Sequence, residues 1–351
     1  MIDLRSDTVT RPTHEMLEAM RFATLNDDTL EGDPTVRRLE IRAAELSGKK
    51  DALFVVSGTM GNVIATLAHA REGGEALVDE QSHMTRSEAG GLSHLAGLFC
   101  VRIPSHKGEM QLDALRESIR PAFSRYGLPT AMIAVETSHN HSGGYVPSLA
   151  YLQQVADMAR TAKVPVHIDG ARAFNAAIAL GVPLSTICAH GDSVSLCLSK
   201  GLSAPMGSVL TGSADFISRA RVFRRMVGGG LRQAGIMAAA GLVALETMTE
   251  RLADDHRRAR HLWELLRAST PELVNADAPH TNILQIHVSD DSALQWEHAF
   301  HAHGILVRAS NRKTLRLVTH RHIDDANIHK VHQAIVHIRQ HGSTLIPQTG
   351  K

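Results

Sequence analysis

Short apolar runs alternate with stretches of helical period through the first two thirds of the sequence. Seven runs rich in Val, Ile and Leu predict buried strands: Ala52–Val56, Glu75–Val78, Gly97–Ile103, Ala131–Val135, Val164–Ile168, Ser193–Leu198 and Gly207–Thr211. Four segments between or after them predict helices: Gly61–Ala70, Asp113–Phe123, Ser148–Thr161 and Ala214–Met226. Strands that alternate with helices form βαβ units, which build a parallel sheet covered on both faces. The sequence therefore predicts an α/β fold with a mainly parallel central sheet.

The pattern changes after the three glycines Gly228 to Gly230. The remaining segments predict mixed elements: helices at Ala234–Leu245, Leu252–Leu266, Ala293–His303 and Asp325–Gln340, and strands at Asn282–Val288, Ile305–Val307 and Leu315–Thr319. We expect a large domain over residues 1–245 with an N-terminal arm over 1–14. A small C-terminal α+β domain follows over 246–345, and residues 346–351 form a loose tail.

Composition excludes several classes of protein. The chain has 37 Lys+Arg and 36 Asp+Glu, a net charge of +1, which disfavours a general nucleic-acid binder. Runs of about 18 apolar residues, as in a membrane span, are absent, and the N-terminus lacks the apolar stretch of a signal peptide. The 3 widely spaced cysteines exclude a disulfide framework and a four-cysteine zinc site. These features predict a cytoplasmic protein that binds neither nucleic acid nor membrane.

The 22 histidines are unusually many for this length. Close groups such as His139 with His141, His298 with His301 and His303, and His320 with His322 have spacings that can bind transition metals. However, no HExxH pattern occurs, and residues two apart on a helix face different sides. We therefore expect solvated or capping histidines and no metal site.

Three motifs carry chemistry. In the first, the strand ending at Val56 runs through Ser57-Gly58-Thr59 into a helix, and free N–H groups at a helix N-terminus can bind one phosphate. The alternative is an ordinary helix cap.

In the second motif, Asp169 ends an apolar strand at the edge that faces the ligand crevice of such sheets. The alternative is that Asp169 caps the helix that follows it.

In the third motif, Lys200 ends an apolar strand before Gly201. A desolvated lysine can act as an imine-forming nucleophile, although an exposed strand-end charge is the alternative. The order of the motifs favours the chemical interpretation. The Ser57-Gly58-Thr59 turn, which we call the phosphate cup, would bind a phosphate, Asp169 a pyridinium and Lys200 an aldehyde. These are the three groups by which a protein can bind pyridoxal 5′-phosphate.

The sequence closely resembles the L-threonine aldolases of the aromatic amino acid β-eliminating lyase/threonine aldolase family, which are fold-type-I pyridoxal-phosphate enzymes. The resemblance runs from Ile2 to about His320. The motifs that carry it are Ile2–Thr10, Asp33-Pro34-Thr35, Ser57-Gly58-Thr59, Glu88–Gly91, Asp169–Arg172, Leu198–Gly201, Gly228–Gln233 and Leu315–His320.

The resemblance implies roles for matching residues. Lys200 would bond to the cofactor aldehyde, Asp169 would pair with the pyridine nitrogen, and His83 would stack on the ring. Further positions near the cofactor are Ser57, Gly58 and Thr59 at the phosphate, Arg172 and Arg232. Ser6, Arg172 and Arg316 would grip the substrate carboxylate, and His139 would lie near the substrate hydroxyl. Lys200, His83, His139 and Asp169 are the catalytic candidates.

The resemblance also implies the reaction, which is Cα–Cβ cleavage of L-threonine, L-allo-threonine and related β-hydroxy-α-amino acids such as phenylserine to glycine and an aldehyde. It implies a homotetramer with sites at subunit contacts. Two segments depart from the family pattern: Leu30 stands near the usual tyrosine, and Thr137-Ser138 replaces Asn-Thr. These departures keep a β-eliminating lyase or an amino acid racemase as alternatives.

Overall fold

The computed structural model describes residues 1–70, 73–125, 127–289 and 291–341. The predicted loose tail 346–351 lies outside these residues. The strands are β1 (Ile2–Asp3), β2 (Asp51–Val55), β3 (Glu75–Asp79), β4 (Phe99–Ile103), β5 (Ser105–His106), β6 (Glu109–Met110), β7 (Thr130–Glu136), β8 (Val166–Gly170), β9 (Ser193–Cys197), β10 (Ser208–Gly212), β11 (Ile283–His287), β12 (Ile305–Leu306), β13 (Arg308–Asn311) and β14 (Thr314–Val318).

The helices are α1 (His14–Arg21), α2 (Pro34–Ser47), α3 (Gly58–His69), α4 (His83–Arg86), α5 (Leu112–Ser118), α6 (Leu149–Ala162), α7 (Ala173–Leu180), α8 (Leu184–Cys188), α9 (Ala214–Met226), α10 (Gly235–Thr247), α11 (Leu252–Ser269), α12 (Ala293–Ala302) and α13 (Asp325–His341). Single turns of other helix types lie at Asp7–Val9, Gly91–Leu95 and Pro271–Leu273. In the described parts of the chain, no helix is both long and apolar enough to span a bilayer.

The chain divides into two compact units, of which the larger is residues 11–250. Its seven-stranded sheet has the order β2-β10-β9-β8-β7-β3-β4. All neighbours are parallel except β10, which runs antiparallel to β2 and β9. The α/β fold with a mainly parallel sheet is therefore confirmed. The short link from Cys197 to Ser208 holds no crossover helix, so β10 must return antiparallel to β9.

The inner strands of this sheet are apolar because helices cover both of their faces. Every residue of β8, β9 and β10 is buried. On one face, α3 and α9 bury Ile64, Phe216 and Ile217 against the β2 and β10 residues Leu53 and Leu210. This packing holds the first turn of α3 beside the ends of the strands.

The second unit comprises residues 1–10 and the described residues from 251 to 341. An antiparallel sheet of order β11-β14-β13 packs with α11, α12 and α13 around buried side chains such as Phe300 and Leu315. β1 pairs in parallel with β12, with Ile2 opposite Ile305. The N-terminal residues are thus part of this unit, and the domain bounds predicted at 245/246 stay a prediction.

Several helices have bounds that local pattern did not predict. Local pattern did not predict α1, α2, α4, α7 and α8, and the predicted helix Asp113–Phe123 ends early, at Ser118. Pro121 explains the early end, because proline excludes the helical conformation from the residue before it and cannot donate a backbone hydrogen bond. The predicted helix Ala214–Met226 is confirmed at both ends.

Candidate active site

The carboxyl ends of five parallel strands bring the predicted residues of the larger unit to one edge of the sheet. Ser57 follows β2, His83 follows β3, His139 follows β7, Asp169 lies near the end of β8, and Lys200 follows β9. Because carboxyl ends of parallel strands meet at the same edge, segments far apart in sequence share one crevice.

The predicted phosphate cup is the N-terminus of α3. Ser57 is the N-cap, and its Oγ accepts the N–H of Met60 at 3.1 Å, while Gly58 and Thr59 form the first turn. A Cβ at Gly61 would lie 2.6 Å from Oγ of Ser195, so this glycine allows α3 to approach β9 closely. The helix therefore presents N–H groups at the crevice, the arrangement that binds a phosphate.

A buried hydroxyl group beside the cup gives an independent test of fit to the phosphorylated cofactor. The Oγ atom of Ser208 is buried and has no hydrogen-bond partner in the described parts of the chain. Ser208 lies next to the cup, since a Cβ at Gly58 would be 3.6 Å from its Oγ. Buried polar atoms are normally paired, so this hydroxyl fits a site built for a polar ligand.

Asp169 is buried at the end of β8. Its Oδ2 accepts Nδ2–H of Asn62 at 3.0 Å, and its Oδ1 accepts the N–H of Ala171 at 3.1 Å. A carboxylate has about four acceptor sites, so these two bonds leave capacity for a further donor such as a pyridinium N–H. The Asp169 environment therefore fits the predicted cofactor.

His83 and Glu88 lie beside this carboxylate. His83 Nδ1 is 2.9 Å from Glu88 Oε1, and this hydrogen bond, opposed by burial and aided by nearby carboxylates, raises the pKa of His83. Burial raises the pKa of Glu88. One ligand atom from each of His83, Glu88 and Asp169 lies within 4.8 Å of the other two. This concentration of negative charge suits a cation, whether a metal ion or a protonated ring.

The histidine groups noted in the sequence give no such cluster. Among the residues that the structure describes, His83, Glu88 and Asp169 form the one set of three with metal-ligand spacing. His320, for example, contacts the carbonyl oxygen of Asp3 at 2.7 Å.

His139 is fully buried and both of its ring nitrogens contact protein atoms. Nδ1 accepts the N–H of Ser142 at 3.2 Å and lies 2.8 Å from its Oγ, while Nε2 lies 3.4 Å from Asp79 Oδ1. This pairing places the ring hydrogen on Nε2. Burial lowers the pKa of His139, but the carboxylate of Asp79, 3.4 Å away, and the neighbouring carboxylates outweigh it, so the pKa is raised.

Arg172 and Lys200 occupy the same edge. Arg172 is buried, and its Nη1 donates to Asn140 Oδ1 at 3.3 Å, beside His139. Lys200 is half-buried in the turn after β9, and its carbonyl oxygen accepts the N–H of Ser203 at 2.9 Å.

Arg232 and Leu30 belong to a more exposed part of the larger unit. Arg232 is 62% exposed, and its Nη1 lies 3.5 Å from Asp27 Oδ2. Leu30 lies in the turn that follows Asp27 and is 76% exposed. In a single chain, Leu30 therefore faces solvent.

Ser6 and Arg316 lie in the second unit. Ser6 Oγ accepts the N–H of Thr8 at 3.2 Å and caps the turn Asp7–Val9. Arg316 lies on β14, and its Nη2 donates to the carbonyl oxygen of Arg5 at 3.1 Å. Ser6 and Arg316, two of the three predicted carboxylate-binding residues, thus each form a hydrogen bond with neighbouring backbone.

Several side chains that organise the site were not among the residues predicted from the sequence. Glu136 accepts the backbone N–H groups of His83 at 2.6 Å and Asn140 at 2.8 Å, which ties two loops together. Asn62 donates to both Glu88 and Asp169. Glu136 ends its strand as Asp169 nearly does, a signal that was present in the sequence. Asn62 carried no comparable local signal.

The chain is similar to known proteins over most of its length. A sequence model of the "Beta-eliminating lyase" family matches residues 3–290. The chain is 42% identical to low-specificity L-threonine aldolase 1 of Arabidopsis thaliana, covering 93% of each chain. It is 41% identical to a low-specificity L-threonine aldolase of Escherichia coli, covering 91% of this chain and 94% of that one.

Solved structures resemble the fold. Threonine aldolase of Leishmania major superposes with a TM-score of 0.80 at 16% identity, covering 96% of this chain and 100% of that one. Serine palmitoyltransferase of Sphingomonas wittichii gives 0.75 at 15% identity, covering 99% and 88%. The fold is that of the fold-type-I pyridoxal-phosphate enzymes. Together with the family match over most of its length, this places the chain in the beta-eliminating lyase family, and it belongs to the branch that contains the threonine aldolases.

Proposed function

We propose that this chain is a pyridoxal-phosphate-dependent aldolase. It would cleave L-threonine, L-allo-threonine and related β-hydroxy-α-amino acids, such as phenylserine, to glycine and an aldehyde. The observation that carries the proposal is the shared sheet edge, where the N-terminus of α3, buried Asp169 and Lys200 meet. The identity to threonine aldolases over nearly the whole chain supports the same reaction.

The residues at this edge suit the cofactor's parts. Ser57, Gly58 and Thr59 would hold the phosphate at the N-terminus of α3, and Lys200 would bond to the aldehyde carbon until a substrate amine displaces it. Asp169 would keep the ring nitrogen protonated, and His83 would stack on the ring. When bound, the cofactor supplies an electron sink for the electron pair of the broken Cα–Cβ bond.

The chain's own residues would orient the substrate. The forked guanidinium of arginine can bind both oxygens of a carboxylate, which suits Arg172 and Arg316, with Ser6 as a further donor. Fixing the carboxylate fixes which bond at Cα is aligned for cleavage, a contribution from orientation. Arg232 would lie near the cofactor in the assembled protein.

Removal of the hydroxyl proton needs a general base, which contributes roughly 10²–10⁴ in rate. We assign this role to His139. Asp79 would hold its Nε2–H, so the proton would be accepted at Nδ1, the nitrogen beside Ser142. Ser142 would have to turn aside for this step.

A β-eliminating lyase or a racemase is the second candidate, because Lys200 and Asp169 serve those reactions equally well and the family model bears the lyase name. The products distinguish them. Purified protein is incubated with L-threonine, L-allo-threonine, phenylserine and serine, and glycine and aldehyde are measured. Formation of the D-amino acid, or of an α-keto acid without glycine, would contradict the aldolase proposal.

Lys200→Ala tests the site directly. We expect loss of the visible absorbance band of the lysine-bound cofactor and of nearly all turnover, because the amine that bonds to the aldehyde is gone. Lys330→Ala, an exposed lysine on α13, is the matched control and should retain both. Normal absorbance in the Lys200 variant would contradict the assignment.

We propose that the protein is cytoplasmic and forms a homotetramer with sites at subunit contacts. The cytoplasmic location is supported by the three free cysteines, of which Cys188 and Cys197 are buried, because free cysteines are typical of proteins from reducing compartments. Large apolar side chains at Leu17, Phe22 and Leu25 are exposed on a single chain, as expected of a surface that another subunit covers.

A further inference from the structure

A line of hydrogen bonds leads away from the carboxylate of Asp169 through four side chains. Asp169 Oδ2 contacts Asn62 Nδ2 at 3.0 Å, and Asn62 Oδ1 contacts His167 Nε2 at 3.1 Å. His167 Nδ1 then contacts Ser193 Oγ at 2.9 Å, and the same Oγ contacts His69 Nε2 at 2.8 Å. We call Asn62, His167, Ser193 and His69 the Asp169 chain.

The position of every hydrogen in this chain follows from its inner end. The amide nitrogen of Asn62 lies within reach of two carboxylates, Asp169 at 3.0 Å and Glu88 at 2.8 Å. Only an NH₂ group can donate to both, so the amide oxygen faces His167 and must accept a hydrogen from its Nε2. Nδ1 of His167 is then an acceptor.

The outer half is ordered by the same logic. Ser193 has one hydroxyl hydrogen, which it donates to Nδ1 of His167. Its Oγ therefore accepts a hydrogen from Nε2 of His69. All four donors point toward Asp169. Hydrogen bonds aligned in one direction polarise one another, and this direction stabilises negative charge on the terminal carboxylate.

The fold holds the four side chains of the Asp169 chain in place. His167 and Asp169 are two apart on β8 and so face the same side of the sheet, and Ser193 is paired with His167 across the β8–β9 ladder. Asn62 and His69 are seven apart on α3, which places them on the face that covers these strands. Asn62, His167 and Ser193 are buried, and His69 stacks on Phe216 with ring centroids 4.6 Å apart.

We propose that Asn62, His167 and Ser193 are positioning residues that aim the carboxylate of Asp169 at the ring nitrogen of the cofactor and keep it ionised. This inference rests on the proposed function. Burial holds the pKa of His167 at about 4, so its ring stays neutral and keeps the hydrogen arrangement described above.

The test compares pyridoxal phosphate with its carbocyclic analogue, in which C–H replaces the ring nitrogen. Dissociation constants for both are measured on wild type, His167→Leu and His167→Gln. The leucine variant should bind pyridoxal phosphate roughly tenfold more weakly, because Asn62, without its hydrogen bond from His167, no longer holds the Asp169 carboxylate in line with the ring nitrogen. Its affinity for the analogue should change less than about twofold, since Asp169 has no ring N–H to meet there. Glutamine can donate to Asn62 as Nε2–H does, and should restore most of the affinity.

A smaller substitution covers the case in which the leucine variant fails to fold. Ser193→Ala removes one hydroxyl from the Asp169 chain. Ser47→Ala removes a buried hydroxyl of α2 that donates to the carbonyl oxygen of Ala44 in the same helix. The preference for pyridoxal phosphate over the analogue should fall in the first and stay unchanged in the second. An equal loss of affinity for both cofactors in His167→Leu or in Ser193→Ala would overturn the positioning role. Wild type that binds neither cofactor would instead overturn the proposed function.

Discussion

Two carboxylates at the strand ends have different partners and therefore different uses. Glu136 accepts backbone N–H groups of His83 and Asn140, so its oxygens hold loops in place. Asp169 accepts one hydrogen bond on each oxygen and keeps acceptor capacity for a ligand. The setting of each side chain, rather than its position at a strand end, thus supports Asp169 rather than Glu136 as the proposed partner for a pyridinium.

Asp169→Asn should separate charge from shape. The amide keeps the size of the side chain but removes the negative charge, and losing one side of a buried charge pair costs roughly 3–5 kcal/mol. We expect a decrease of orders of magnitude in kcat, with weaker binding of pyridoxal phosphate. Exposed Asp157→Asn is the control. A variant with the wild-type kcat would mean that the ring nitrogen is paired elsewhere.

The burial of His167 predicts how stability depends on pH. Its pKa is about 4 in the folded protein against a usual value of 6.5, so between these values the unfolded chain binds more protons than the folded one. Stability should therefore rise with pH through this window, and His167 should contribute about 2 kcal/mol to the gain between pH 5 and pH 7.5.

Urea unfolding midpoints of wild type and His167→Gln at these two pH values measure that contribution. The variant should gain less stability on going to pH 7.5, because glutamine does not titrate. Equal gains in the two proteins would show that His167 is not held neutral.

At the scale of elements, Asp33-Pro34-Thr35 has a structural explanation. Asp33 is the N-cap of α2, with Pro34 in the first turn. Oδ1 of Asp33 accepts the N–H groups of Thr35 and Val36. Oδ2 of Asp33 accepts the N–H groups of Asn26 and Gly235. A Cβ at Gly235 would lie 2.4 Å from that carboxylate, so only glycine allows α10 to start there. One side chain thus joins two helices and a loop.

Asp33→Ala should destabilise the protein more than a simple cap does. Loss of a helix cap costs about 0.5–2 kcal/mol, and the buried N–H group of Gly235 would also lose its acceptor, at about 1–3 kcal/mol. We expect a lower urea midpoint, with Asp33→Asn intermediate because its amide keeps one acceptor oxygen. Exposed Asp113→Ala serves as the control. Equal midpoints for Asp33→Ala and this control would contradict the joining role.

At the scale of the whole molecule, the exposed apolar side chains around α1 predict association. Phe22 is 72% exposed and Leu17 lies on the preceding helical turns. Sedimentation equilibrium should give a mass four times that of one chain, and Phe22→Asp should shift it to smaller species, since a buried unpaired charge opposes assembly. Glu18→Asp, a change beside it that keeps the charge, is the control. A monomer at assay concentration would contradict the tetramer.

The sequence by itself determined the fold class and the order of the cofactor motifs. Apolar periodicity is a local property, so runs such as those of β8 and β9 identify strands without knowledge of their neighbours. Once the strands are parallel, topology brings the segments after them to one edge, and Asp169 and Lys200 could be placed there from the chain alone.

Only the tertiary structure decided which side chains meet at that edge. Asn62 and Asp169 are 107 residues apart, and their contact depends on how α3 packs across the sheet, which Gly61 permits by its missing Cβ. The pairing of β10 with β2 and the pairing of His139 with Asp79 depend in the same way on contacts between distant segments. Local periodicity specifies which face of an element is buried, but the neighbour that covers this face is chosen by the packing of the whole fold.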